Sequence, residues 1–459
     1  MKLSFLNRTA ELKRLGKALT AKSPSLVCLY GRRRCGKSRL LQQALVGKPH
    51  VYFVGDEREA SLQRQALSTE IARLIPGFEQ VTYHSWDDLL QRWYKDAPSS
   101  AVLALDEFPF LAMSSPELPG ILQKHIDKEA TKPIHICLCG SSQRMMYELV
   151  MDASAPLYGR AREIMKIVPL NAFYLQSAMQ NRNGEKIVEA FAAWGGIPRY
   201  WELALDYAST FEAIKDLVLN PLGVLYREPE RLLSDQMRDT RQTASLLSII
   251  SQGCHRLSEI AARLEKPATS LTRPLAILAE LGLIIREVPF GASLRDSKRT
   301  LYTIADPFLR LWLKFVEPNR SLIEAGLIDR VGNTVVKQWP QFVGTVWEQL
   351  SRQSVPYLSI NGRQWKPASR WWGKAIDGEM MEFDIVSSAF DIDENVLVGE
   401  ATHSGTAKDI EQILSDLKSN AQRCPALRGK NIYCALWIMK GVKTRKSVFT
   451  ADDVVRVLK

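Results

Sequence analysis

Apolar positions fall into continuous runs in the first third of the chain and into periodic runs later. Leu26 to Tyr30, Ala101 to Leu105 and Ile134 to Cys139 are apolar almost without a break, as strands covered on both faces should be. After the first run, Leu40, Leu41, Ala44 and Leu45 fall at helical spacing. Strands alternating with helical patterns predict an α/β core with a parallel sheet. From Thr243 the pattern changes. "TASLLSIISQG" reads as an amphipathic helix closed by Gly253, a C-cap signal. "LSEIAARLEKP" reads as a second short helix, starting at Ser258 or the residue before it. "ATSLTRPLAILAELGLI" reads as a third, ended by Gly282. Pro274 is expected in its first turn, because deeper inside it would cost ~3 kcal/mol. Two strand-like runs, "IIREV" and "LYTIAD", enclose the polar loop "PFGASLRDSKRT". Three helices and such a hairpin predict a winged helix-turn-helix.

The last third reads as helix, two strands, helix, strand. Val343 and Trp347 lie four apart on the helix "FVGTVWEQLSRQSV". Met381, Phe383 and Ile385 then alternate with Glu382 and Asp384. "ENVLVGEATHSG" is a strand, "DIEQILSDLKSNAQRC" an amphipathic helix and "NIYCALWIM" a buried strand. Between the winged helix and this segment, Phe308, Leu311, Trp312 and Phe315 repeat at helical spacing, which predicts packing between domains.

With 459 residues the chain exceeds one hydrophobic core, and roughly three domains are expected. A hydrophobic content of 46% and a charged content of 24% exclude large-scale disorder. The net charge of +11 favours an anionic partner, nucleic acid first, over a merely basic surface. The seven cysteines, at 28, 35, 137, 139, 254, 424 and 434, form no CxxC pair, which argues against a zinc site. Cys137 and Cys139 share one strand face and are expected to pack. The odd count and an N-terminus without an apolar signal segment imply a reducing, cytoplasmic setting. No apolar run approaches the ~18–20 residues of a membrane helix.

"SLVCLYGRRRCGKSRLLQQAL" holds Gly31, Gly36, Lys37 and Ser38 between a strand and a helix. This is the Walker A spacing in its proper context. The glycines turn backbone N–H groups toward phosphates, and the helix N-terminus adds positive charge. Lys37 reaches the β and γ phosphates, and Ser38 ligates Mg²⁺; Arg39, in the same turn, joins the candidate cofactor-binding residues. Asp106 and Glu107 end the second apolar run. In such a loop enzyme Asp106 holds Mg²⁺ through water and Glu107 orients or deprotonates the attacking water. Ser141 and Ser142 end the third run, either sensing the γ-phosphate or capping a helix. Arg160 and Arg162 follow Gly159. Arg160, more than Arg162, is the candidate finger reaching a neighbouring subunit, with a surface ion pair as the alternative.

"FLNRTAELKRL", the Walker pair, "GSSQRMM", "PLYGRAREI" and "WGGIPRYW" together resemble the archaeal-type ATPase family of the AAA+/STAND group of P-loop NTPases. The resemblance implies ATP and Mg²⁺ as cofactors and a three-layer core. It places Phe5, Asn7 and Arg8 beside the adenine or ribose and makes Gly196-Ile197-Pro198 a lid motif, with Pro198 near the base. A trans arginine implies a homo-oligomer. The expected organisation is a P-loop core at 1–170, a helical lid at 171–238, the winged helix at 239–320 and an α/β domain at 321–459. On the winged helix, Arg273 of the third helix and Arg295, Lys298 and Arg299 of the wing are candidate DNA contacts. Such modules also serve as protein contacts.

The order of elements over roughly 340–440 resembles the PD-(D/E)xK, restriction-endonuclease-like core, and also the domain of unknown function that accompanies these ATPases. Asp384 and Glu400 would supply two hard oxygen ligands for Mg²⁺ and Glu348 a third. The resemblance calls for a lysine two residues after Glu400, where this chain has Thr402. Threonine carries no charge. Lys374 and Lys408 are the nearest lysines that could substitute, and two carboxylates without a lysine are also what a structural copy of the fold would keep. His403 alternates away from Thr402 and is given no role.

Overall fold

Strand β1 (Ser25–Tyr30) is buried along its length except at Tyr30, and β3 (Val102–Asp106) and β4 (His135–Gly140) are buried throughout. Each begins within one residue of the expected apolar run. With β2 (His50–Val54) and β5 (Ala161–Lys166) they form one sheet in the order β2-β3-β4-β1-β5, every pairing parallel. Parallel neighbours need crossovers. Leu67, Trp86, Leu89, Trp93, Leu111 and Leu122 of these connections bury against the sheet. Because β4 lies between β3 and β1, the carboxyl ends of the three sit side by side, where open α/β sheets bind ligands.

The computed structural model describes residues 3–128, 132–237, 239–293, 299–441, 443 and 445–459. The chain divides into two compact units. One comprises Phe5–Pro169 with Ser234–Arg238, and the other Met1–Ser4, Leu170–Leu233 and Asp239–Lys459. The segments expected as lid, wing module and C-terminal domain thus fall largely in the second unit.

In that unit, helices Thr240–Ser251, Leu257–Leu264 and Ala268–Glu280 precede the antiparallel hairpin of β6 (Ile284–Glu287) and β7 (Leu301–Ile304). The third helix starts at Ala268, so Pro274 lies in its interior and not in its first turn as expected. Leu271, Leu275 and Leu278 bury one face of this helix, and that packing outweighs the hydrogen bond Pro274 cannot donate.

The C-terminal sheet has the order β12-β11-β10-β9-β8. It comprises β8 (Ser369–Lys374), β9 (Met380–Ser388), β10 (Asn395–Ser404), β11 (Asn431–Lys440) and β12 (Val448–Thr450). β10, β11 and β12 run parallel, and β8 and β9 are antiparallel additions. The sequence pattern did not show β8 or β12. Helix Ile328–Ser354 is twice as long as its apolar signature and passes through Pro340. It buries Val343, Val346, Trp347 and Leu350. Trp347 Nε1 donates to the Trp437 carbonyl at 3.4 Å, and Trp437 Nε1 donates to Ser354 Oγ at 3.1 Å.

Gly196, in the expected lid motif, has a packing reason to be glycine. A Cβ there would lie 2.0 Å from the Leu170 carbonyl oxygen, which accounts for the close approach sealed by the Leu170 N–H to Gly196 carbonyl bond of 2.8 Å.

Candidate functional site

The loop after β1 folds as a phosphate cradle. Gly31 (φ 146°), Arg34 (φ 65°) and Gly36 (φ 89°) have positive φ, which turns successive N–H groups inward. A Cβ on Gly31 would lie 2.3 Å from the Ile167 carbonyl oxygen. Lys37 is buried, and its Nζ donates to the Gly31 and Arg32 carbonyls at 2.9 and 3.0 Å. The ammonium is therefore folded across the mouth of its own loop.

At the β3 tip, Asp106 Oδ2 accepts from the Tyr52 hydroxyl at 2.5 Å, and Oδ1 accepts from the Glu107 N–H at 2.9 Å. Ser38 also hydrogen-bonds the Tyr52 hydroxyl. One phenol oxygen thus bridges the two expected Mg²⁺ ligands. Burial, then the Asp106 carboxylate, pushes the Tyr52 phenol up. A hydroxyl and a carboxylate converging on one small polar group form the hard-oxygen donor set Mg²⁺ prefers, so these residues fit the ion.

Glu107 sits at φ 50°, a left-handed conformation unusual for a glutamate. Its Oε2 accepts from Ser141 N at 3.2 Å and Ser141 Oγ at 2.8 Å. The strand-tip serine therefore holds the candidate water-activating carboxylate, while Ser142 caps the helix after it through Met145 N. The capping reading of this tip is met by Ser142. Residues 235 and 236, which the sequence did not single out, return to the same place. Asp235 pairs with Arg33 of the cradle at 2.8 Å. Gln236 accepts from Gln143 N at 3.0 Å and donates to the Ser141 carbonyl at 2.8 Å.

Arg8 is buried, and its Nη2 donates to the carbonyls of Cys35 (3.2 Å) and Val168 (2.6 Å). It ties the cradle to the chain after β5, while Asn7 beside it is exposed in a left-handed turn. Arg39 lies on the helix Lys37–Leu45 that the cradle starts. Pro198 opens the helix Pro198–Ala204 in the other unit. Arg160 forms a bidentate pair with Asp127, Nε to Oδ1 and Nη2 to Oδ2 both at 2.8 Å, and donates to the Pro156 and Tyr158 carbonyls. Within this chain it is an ion-pair arginine.

The second cluster is in the C-terminal sheet. β9 and β10 pair up to Ile385 and Gly399, which puts Asp384 and Glu400 side by side at the next positions. Asp384 Oδ2 accepts from Ala401 N at 3.1 Å. Glu400 hydrogen-bonds Asp384. Burial first, then the Asp384 and Glu348 charges, pushes the Glu400 carboxyl up to about 8. Burial and Asp384 likewise push Glu348 up to about 7, and burial raises Asp384. The three expected acids are thus brought together, but among the described residues no three are set as a ready metal cage. Two of them share a hydrogen bond instead.

The positive charge in this pocket comes from arginine. Arg352 lies one helical turn after Glu348, 3.9 Å from its carboxylate, and donates to the Asp384 carbonyl at 3.0 Å. Arg370 on β8 lies 3.3 Å from Glu382 and 3.6 Å from Glu287. The two lysines expected as substitutes, Lys374 and Lys408, are exposed, and Thr402 Oγ1 donates to the Ser404 carbonyl. The Glu348–Arg352 spacing of four was a legible signal. Arg370, on an unrecognised strand, was not. Of the expected DNA contacts, Arg273 is exposed on its helix. Arg299 instead donates to the Trp372 carbonyl at 3.3 Å. Arg295 and Lys298 lie outside the described residues.

No helix among the described residues is long and apolar enough to cross a membrane. Residues 5–203 match a family described as an ATPase domain predominantly from Archaea, and residues 312–413 match one described as Archaea bacterial proteins of unknown function. An uncharacterized protein of Methanocaldococcus jannaschii is 27% identical over 422 residues, 90% of this chain and 91% of its own. Among solved structures, a Walker-type ATPase of Pyrococcus abyssi is similar at 22% identity with a TM-score of 0.50, over 68% of this chain and 96% of that one. The ORC2 protein of Aeropyrum pernix, solved as ADPNP–ADP complexes, aligns at 15% identity with a TM-score of 0.47, over 71% and 96% of the two chains.

Proposed function

We propose that this chain, an archaeal-type P-loop ATPase with an α/β core, hydrolyses ATP with Mg²⁺ and uses the cycle to act on DNA. The observation that carries this reading is the convergence of Lys37, Ser38, Asp106, Glu107 and Ser141 at neighbouring strand tips. Ser38 and Asp106 would hold Mg²⁺, which would supply charge neutralisation at the phosphates. Lys37 leaves the Gly31 and Arg32 carbonyls for the phosphates. Ser38 and Asp106 present oxygens toward the ion. Glu107, held by Ser141, orients the attacking water and takes its proton. Hydrolysis is measured by phosphate release with Lys37→Ala and Glu107→Gln beside the wild type. Turnover that survives both substitutions overturns the assignment.

DNA is the partner favoured by the net charge of +11. The three helices and the β6–β7 hairpin act as a winged helix, which also offers a surface to a protein partner. The assembly is a cytoplasmic homo-oligomer, with Arg160 exchanging Asp127 for a neighbour's nucleotide. A second reading, that the C-terminal domain is nuclease-like and cleaves DNA, is favoured by the meeting of Glu348, Asp384 and Glu400 beside Arg352. Single- and double-stranded DNA incubated with Mg²⁺ or Mn²⁺, with and without ATP, tests it. Cleavage lost in Glu400→Ala supports it. No cleavage alongside intact ATPase activity leaves a fold used for binding.

A further inference from the structure

The β6–β7 hairpin lies along β8, the edge strand of the C-terminal sheet. The Phe290 amide donates to the Arg370 carbonyl at 2.8 Å, and Arg299 donates to the Trp372 carbonyl. Phe290 packs against the cluster of Trp371 and Phe383. Covering an open strand edge explains these contacts. It does not explain Glu287.

Glu287 is the last residue of β6. Its Oε1 lies 4.0 Å from Arg352 Nη2 and its Oε2 lies 3.6 Å from Arg370 Nη1. All three side chains are largely buried, with 12–20% of their surface exposed. Both separations are longer than a hydrogen bond. Two guanidinium forks therefore flank one carboxylate without closing on it. Their other contacts, to Glu348, Glu382 and the Asp384 carbonyl, hold them in place from other sides. A phosphodiester presents the same single negative charge on a larger, tetrahedral group, whose oxygens would reach both forks.

A third arginine, Arg310, is largely buried and donates through Nη2 to the Ile304 carbonyl. Arg310 Nη1 is sealed from solvent and has no hydrogen-bond partner. Burial lowers the pKa of its guanidinium, against the charges of Asp306 first, then Glu287 and Glu348.

We propose that Arg352 and Arg370 are the seat for a nucleic-acid phosphodiester at the C-terminal acid pocket, and that Glu287 fills this seat until the hairpin withdraws. The inference rests on DNA being the partner. It supplies the positive charge that Thr402 does not. It also makes the hairpin a plug, so that occupation of the pocket requires movement of the hairpin that carries Glu287.

The test uses the full chain and fluorescently labelled single- and double-stranded oligonucleotides in an anisotropy titration over a range of salt. Glu287→Gln keeps the shape and removes the competing charge. It should tighten binding by about tenfold, the scale of one charge-assisted contact, and steepen the salt dependence. Adding Arg370→Gln should abolish that gain. Circular dichroism and melting temperature establish that each variant is folded. Inorganic phosphate at millimolar concentration is a parallel ligand. If it raises the melting temperature of Glu287→Gln but the oligonucleotide affinity does not change, the seat takes a free phosphate and the nucleic-acid proposal falls. If the wild type binds DNA and Glu287→Gln binds it equally, the plug is wrong while DNA binding stands. If neither binds, both readings fail.

Discussion

Glu400→Gln should make the C-terminal domain more stable in mild alkali and leave it unchanged in mild acid. The buried Glu400 carboxyl is pushed up to about 8, so the folded chain holds this proton across a window where the unfolded chain has released it. The native state then binds more protons than the unfolded state from about pH 4.5 to about pH 8, and stability falls as pH rises through that range. An acid moved that far and ionising alone would cost the fold about 4–5 kcal/mol above the window. Glu348 and Asp384 compete for the same protons, and Arg352 offsets part of the charge. Removing one acid should therefore recover about 2 kcal/mol. The glutamine can still donate to Asp384. Hydrogen–deuterium exchange of the β10 peptide, residues 395–404, reads this sheet alone. Its protection in the wild type should drop between pH 5 and pH 8.5 relative to the variant, after correction for intrinsic exchange. Parallel profiles for the two proteins would refute a shared-proton pocket.

Three further outcomes follow from the same geometry. Ser141→Ala removes the hydroxyl bond to Glu107 but leaves the backbone one, and kcat for ATP should fall about tenfold with KM nearly unchanged, the effect of ~1.5 kcal/mol; an unchanged kcat would mean that Glu107 is positioned otherwise. Gly196→Ala drives a methyl group into the Leu170 carbonyl and should destabilise its unit by about 3 kcal/mol in urea unfolding. Arg160→Ala should lower turnover roughly a thousandfold if the side chain works in trans. Turnover and sedimentation indistinguishable from wild type would leave it the local contacts to Asp127, Pro156 and Tyr158.

The sequence by itself determined the nucleotide core. Three apolar runs become β1, β3 and β4, because strands buried on both faces have no choice of register to hide. The Walker loop needs only local backbone geometry and a following helix, so its position could be read from spacing. The helices and hairpin after Thr240 were legible through periodicity, and the meeting of Asp384 with Glu400 only through the resemblance of element order. Tertiary structure alone decided the rest. Tyr52 bridges Ser38 and Asp106 because β2 lies beside β3, and nothing near Tyr52 in sequence says so. Gln236 reaches the Ser141 loop from 95 residues away. Pro274 sits inside its helix because three leucines outweigh one lost hydrogen bond. The positive charge beside Glu348, Asp384 and Glu400 comes from Arg352, one helical turn from Glu348, and from Arg370, on an edge strand too mixed in pattern to announce itself. Charges are placed by the elements that carry them. A motif that asks for one beside Glu400 in sequence can be met by any strand or helix that folding brings to its side.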